Sequence, residues 1–462
     1  MDRLTISDGK IILKSPKLVN LILFLSFVNL MKQALTSRSK VIHQSKLEVY
    51  TMKSFRILGS LIAILILIST NISRAENWPK FRGPNGDGTS SETNLPTKWD
   101  STTNVIWKTT IPGSGYASPI VWEDKLFTVT ALTESQEKVL LCYDTKNGNL
   151  LWQTTVLKTP FEHKHNDNSF ASGTPATDGT AIYVSFLNGD SVVVAAYDFS
   201  GKQIWLQKPG TFSSPHGYSC SPVIYKDKVI INGDSQGDAF VAALSKSDGH
   251  TIWKVKHGNP AHSFSTPIFR ELAGKMQMIF LGNKEIASYN PEDGSKYWTI
   301  SGPSEDFCSS PVYNENSGLV LISSAWPQRH LLAIKPDGSG DVSNTKISWR
   351  STEGAYYVPS PVTVGEYLIS TMTSGIVHCI EAATGKILWK ENLGKQYASG
   401  VLINGLVYMP CDKGIITVIK PGPIFEAISK NDMGETMYAS PAISDGRIYI
   451  RGINHLFCIG EK

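Results

Sequence analysis

Two stretches decide the fold: Cys142-Tyr143-Asp144-Thr145-Lys146-Asn147-Gly148-Asn149-Leu150-Leu151-Trp152 and Cys379-Ile380-Glu381-Ala382-Ala383-Thr384-Gly385-Lys386-Ile387-Leu388-Trp389. Each runs small thiol, apolar, acid, three residues, Gly, three residues, Trp. An acid followed by Gly marks a turn in which the side chain accepts N–H groups and the glycine takes positive φ, so each stretch joins two strands. Ala196-Tyr197-Asp198 with Gly201 and Trp205 is a copy one residue shorter, and Gly249 with Trp253 and Gly294 with Trp298 continue the series. A fifth unit stretches the spacing to Trp349, and a seventh has only Phe425 at the equivalent place.

A second fixed point precedes each turn: an aromatic, then Ser or Thr, then Pro. It occurs as Tyr116-Ala117-Ser118-Pro119, Tyr218 to Pro222, Phe264 to Pro267, Phe307 to Pro311, Tyr357 to Pro361 and Tyr438 to Pro441. Phe170 to Pro175 carries Thr174, and Tyr397-Ala398-Ser399-Gly400 lacks the proline, so the copies number eight. Between the fixed points lie short alternating segments such as Lys228-Val229-Ile230-Ile231-Asn232, broken by Asp-Gly, Asn-Gly or Gly-Asp. That is the pattern of antiparallel hairpins, and no sustained 3.6-residue apolar period follows residue 76.

The expected fold is therefore all-β: an eight-bladed β-propeller of four-stranded antiparallel blades over residues 104–462. The last unit, from Tyr438, holds three strands and no tryptophan. Asn104-Val105-Ile106-Trp107-Lys108 is expected to supply its fourth strand and close the ring, with tryptophans wedged between blades.

Ahead of the propeller, Met52-Lys53-Ser54-Phe55-Arg56, the apolar run Ile57 to Ile68 and Ser73-Arg74-Ala75 have the three parts of a secretory signal peptide. Residues 52–75 are expected to be removed near Ala75, leaving a periplasmic or secreted protein that meets the membrane only through this leader. Residues 76–103 are expected to be an extended segment. A second apolar run, Leu18 to Met31, makes residues 1–51 an expected extension upstream of a true start at Met52.

Composition excludes some classes. Apolar residues make up 41% and charged residues 18% with eleven tryptophans, which suits a packed interior rather than disorder. Residues 1 to 75 hold 11 Lys/Arg against 3 Asp/Glu, leaving 33 against 37 from residue 76 onward. A slightly acidic body argues against a nucleic-acid partner. The six cysteines contain no C-x-x-C, and Cys142, Cys379 and Cys458 share one apolar slot of the repeat, so they are expected to pack as small hydrophobes.

Loops entering the innermost strands meet at one mouth of a propeller, so equivalent positions form a ring there. Asn168, His216, His262 and Glu305 stand two places before the aromatic in consecutive units. Asp306, Tyr356 and Gln396 stand one place before it. This arc is the candidate ligand-binding site, with imidazoles and carboxylates suited to a metal or to proton transfer. His163 and His165, in the longest connection, are candidate metal ligands, and Ala325-Trp326-Pro327-Gln328-Arg329-His330 is a candidate protein-binding anchor.

The two motifs over nearly all of 104–460 resemble the pyrroloquinoline-quinone (PQQ) repeat. Trp78-Pro79-Lys80-Phe81-Arg82-Gly83-Pro84-Asn85-Gly86-Asp87-Gly88 is similar to the opening of exported PQQ-like propellers. The resemblance implies either of two activities. Quinoprotein alcohol dehydrogenases hold PQQ and calcium, whereas the propeller lipoprotein of the outer-membrane assembly machinery is a protein-binding scaffold without a cofactor. The dehydrogenases' adjacent cysteine pair is absent here, and so is the lipoprotein's N-terminal cysteine after the leader. The expected function is a non-catalytic, monomeric scaffold binding a protein or glycan at its face. The alternative is a quinoprotein oxidoreductase holding PQQ and a divalent cation near His216, His262 and Glu305.

Overall fold

The structure, a computed structural model, describes residues 5–7, 10–12 and 76–461, apart from 101, 258–261, 283 and 303. Two units are distinguished, residues 1–74 and 75–462. In the first, Thr5–Ser7 and Lys10–Ile12 form an antiparallel hairpin. The expected leader, its cleavage site and the run Leu18 to Met31 lie outside the described residues.

The second unit is an eight-bladed propeller. Blade one is Ile120–Trp122, Lys125–Leu132, Glu137–Asp144 and Leu150–Lys158, ordered from channel to perimeter, and every link is antiparallel. Blades two to seven repeat this order, with innermost strands beginning at Ala176, Val223, Ile268, Val312, Val362 and Val401. Blade eight contains Ala442–Ser444, Arg447–Arg451 and His455–Ile459. Its outermost strand is Val105–Thr110, which pairs antiparallel with His455–Ile459 and places Trp107 opposite Cys458. The expected closure is present.

Tryptophan joins the blades by a specific device. The indole N–H of Trp107 donates to the Thr145 carbonyl at 2.8 Å, and Trp152, Trp205, Trp253, Trp349 and Trp389 do the same to Phe199, Lys246, Pro291, Ala382 and Gly422. Every acceptor lies in the next blade's turn. The turn glycine is required for more than its φ of 72° at Gly148, because a Cβ there would stand 2.6 Å from the Trp107 ring. Thus the Gly and Trp of the repeat are partners across an interface rather than within one blade.

Two irregularities have local causes. The connection that delays Trp349 folds back as Gly340–Asp341 and pairs in parallel with Lys296–Ser301, giving blade four a fifth strand. Trp298 is diverted accordingly to the Gln277 side chain and is 1% exposed. Blade seven lacks an outer indole, and Trp99 from the N-terminal segment stacks on its Tyr408 with ring centroids 6.1 Å apart.

Around the channel the motif's Ser and Thr residues are stitched to one another. The N–H of Ser118 donates to Thr174 Oγ1, Thr174 to Ser221, Ser310 to Ser360, Ser360 to Ser399, Ser399 to Ser440, and Ser440 back to Ser118, all at 2.9–3.0 Å. Each hydroxyl satisfies a buried backbone donor of the preceding blade. The six cysteines are free and five are buried, as expected of small apolar packers.

Residues 78–90 are not a loose approach. They cross the end of the channel away from the mouth loops, touching innermost strands on several sides: Trp78 bridges Val121, the Thr177 N–H donates to the Pro79 carbonyl, and Thr89–Ser90 pairs with Leu402–Ile403. From there the chain runs out along blades seven and eight to the closing strand.

Candidate functional site

The connections between blades and the hairpins between second and third strands share one face, and there they surround a cavity of about 440 Å³. Tyr116, Phe264, Tyr357, Tyr397 and Tyr438 line it, with His165, Asp167, Asn168, His216, Cys308 and Lys395. These five rings come from the aromatic fixed point of the repeat. Tyr218 and Phe307, at the same motif position, turn into the blade interfaces and are 5% and 0% exposed.

One wall is a tyrosine cluster: Tyr116 and Tyr438 stand 4.3 Å apart by centroid, and Tyr397 and Tyr438 5.3 Å. The other is imidazole. His165 and His216 rings are 5.8 Å apart, His216 and His262 rings 6.1 Å, and His262 Nδ1 lies 3.0 Å from Asp306 Oδ1. The imidazoles come this close because the mouth loops fold inward. His262–Ser263 pairs in parallel with Asp306–Phe307, a backbone link between blades four and five. Burial lowers the His216 pKa, with the charge of Asp306 opposing, so the ring is held toward its neutral form.

A strap closes over the mouth. Residues 159–169 leave blade one, and at their root Glu162 accepts from the fully buried Lys138 ammonium at 2.5 and 2.7 Å. At the far side the Tyr397 hydroxyl of blade seven donates to Asp167 at 2.7 Å, with Lys395 4.0 Å from the same carboxylate. Asn168 donates to the His216 carbonyl at 2.7 Å, tying the strap to blade three.

The arc residues take different places. Asn168, His216, His262 and Asp306 are neighbours at the mouth. Glu305 turns outward to Lys284 at 2.9 Å. Tyr356 is fully buried against blades five and six, and its neighbour Tyr357 reaches the cavity instead, because alternate residues of an extended chain face opposite sides. Gln396 is likewise 0% exposed, with neither amide atom hydrogen-bonded among the described residues, and Tyr397 replaces it in the lining. His165 lines the cavity, while His163 is exposed and stands outside the lining. Trp326 is 57% exposed on the same face; its carbonyl accepts from the Glu305 N–H at 3.1 Å, which ties its backbone to the loop that carries Asp306. Burial pushes the Cys308 thiol up to about 12.

A family model described as outer membrane protein assembly factor BamB (PQQ_2) matches residues 135–391. The outer membrane protein assembly factor BamB of Yersinia pestis is 22% identical over 301 residues, covering 60% of this chain and 70% of the relative. That of Burkholderia pseudomallei is 28% identical over 103 residues, covering 22% and 26%. Among solved structures, BamB from Moraxella catarrhalis aligns with a TM-score of 0.54 at 15% identity, covering 77% of this chain and 98% of that one. A europium-containing methanol dehydrogenase aligns with a TM-score of 0.56 at 12% identity, covering 82% and 90%; at these identities the likeness concerns fold alone.

PQQ with a divalent cation calls for several cationic side chains around its carboxylates and an oxygen-rich metal cage. The cavity lining offers Lys395, which already faces Asp167. Among the described residues no group of three or more His, Cys, Asp or Glu is placed to hold a metal ion. The residues present do not fit that pair of groups.

Proposed function

The chain belongs to the PQQ_2 family, that of outer membrane protein assembly factor BamB, and on that premise we propose that it is an exported, non-catalytic scaffold docking a segment of another protein across its strapped mouth. The observation that carries this reading is the exposed Trp326 on the same face as a cup walled by five aromatic rings. Large rings beside a concave apolar surface are what protein interfaces use as anchors, since they bury much area at low entropic cost. The names of the relatives, which are assembly factors of outer membrane proteins, and the leader-like residues 52–75 support export and a protein partner. The oxidoreductase alternative lacks a fitting donor set.

A photo-crosslinking residue in place of Trp326, set against one in place of Ile424 on the opposite face, tests the proposal in cells. A discrete protein adduct at the first position alone, lost when Tyr397→Ala is added, is expected. Identical adducts at both positions, or an adduct removed by glycosidases rather than proteases, would overturn the protein reading.

A further inference from the structure

The motif from Trp78 to Gly88 plays no part in the mouth, yet it concentrates charge at the opposite end of the channel. Three cationic heads gather there around one carboxylate. Arg270, from the innermost strand of blade four, donates to Asp87 Oδ2 at 2.5 Å and to the Asn85 carbonyl at 2.9 Å. Arg82 reaches inward and gives its Nη2 to the carbonyls of Asp87 and Pro361. Its other two nitrogens, Nε and Nη1, are buried without an acceptor among the described residues, and the residue is 2% exposed. The Lys80 ammonium makes no hydrogen bond or ion pair among the described residues. Burial and the nearby Arg270 lower its pKa to about 8, with Asp87 opposing.

Enclosed donors such as those of Arg82 are costly to leave unmade, and a charged one more so, while Lys80 beside them is partly exposed. Three cations against one carboxylate leave two positive charges uncompensated, the complement of a dianion. We propose that the channel-closing segment Lys80–Asp87 is a binding site for a small tetrahedral oxyanion of the phosphate or sulfate class, held by Lys80 and the free nitrogens of Arg82 with Arg270 beside it. The site is independent of whatever the mouth binds. Enclosure of Arg82 restricts the ligand to the free ion rather than a phosphate ester on a large molecule.

The test uses the full chain, melted in sodium sulfate, sodium phosphate or sodium chloride at one ionic strength, with sulfate affinity measured by calorimetry. A ligand that binds only the folded state raises the melting temperature with its concentration. Sulfate and phosphate are expected to raise it above chloride. Lys80→Met, which removes no hydrogen bond among the described residues, is expected to weaken sulfate binding at least tenfold, whereas Lys395→Met at the mouth leaves it unchanged. Sulfate keeps its charge from pH 7 to 9, so its affinity should fall across that range as Lys80 deprotonates, and fall markedly less in Lys80→Met. Equal melting in sulfate and chloride, or a Lys80→Met protein that binds sulfate as the parent does, would overturn the site.

Discussion

Replacing Trp107 by alanine isolates the contact that seals the ring. The side chain is 8% exposed, lies on the Gly148 turn of blade one, and donates its indole N–H to the Thr145 carbonyl. Removing a buried tryptophan typically costs about 3–5 kcal/mol, and the orphaned carbonyl adds to this. At about 2.1 cal/mol/K of unfolding entropy per residue, the roughly 385 residues from Glu76 onward give ~0.8 kcal/mol/K, so the melting temperature should drop by ~4–6 °C. Trp152→Ala, the same contact between blades one and two, should cost a similar amount, while Ile424→Ala at a 79% exposed site should cost less than about 0.5 kcal/mol. Deleting residues 102–109 removes all of the closing strand but Thr110 and should cost far more than either. Calorimetry of the four proteins measures this. A Trp107→Ala protein that melts with the parent, or a strand deletion no worse than Ile424→Ala, would refute the closure argument.

Other consequences follow from the same geometry. Glu162→Ala strands the buried Lys138 ammonium and should destabilise by about 3–5 kcal/mol in urea titration, whereas the double change with Lys138→Met should recover much of that loss. His216, His330 and His378 all have pKa values lowered by burial. The folded state therefore binds fewer protons than the unfolded chain just below pH ~6.5, so their contribution is present above that pH and erodes on acidification; His378→Gln should flatten the fall in melting temperature between pH 7 and 5. Of the six thiols Cys308 alone is partly accessible, and with burial holding it at about 12 it should react with a disulfide reagent at pH 8 far more slowly than free cysteine; the other five should need denaturant.

Much of this architecture is legible in the sequence because a propeller repeats its local chemistry. The Asp/Glu, Gly and Trp spacing announces each outer hairpin, and the three-stranded last unit announces that the front strand must return. Less legible is whatever the chain achieves once only. Trp99 fills the gap left by blade seven, and Asp167 meets Tyr397 across 230 residues, without any periodic signal. At the mouth the ring of loops was readable, but a one-residue phase separates the cavity from the interior, so Tyr357 and Tyr397 face the ligand space while Tyr356 and Gln396 face the blades. The aromatic fixed point itself held that information, as did the Ser or Thr beside it, whose role as a stitch between blades appears only when neighbouring copies are set side by side.

The seam between Val105–Thr110 and His455–Ile459 also imposes an order of events on the molecule. Ribosomes make the first of these strands some 350 residues before the second. Throughout that interval its backbone is an unmated edge, the kind that recruits strands from other chains. Folding is thus completed only once His455–Ile459 has been made, and a chain lacking that strand should lose its seal and behave as a sticky open spiral.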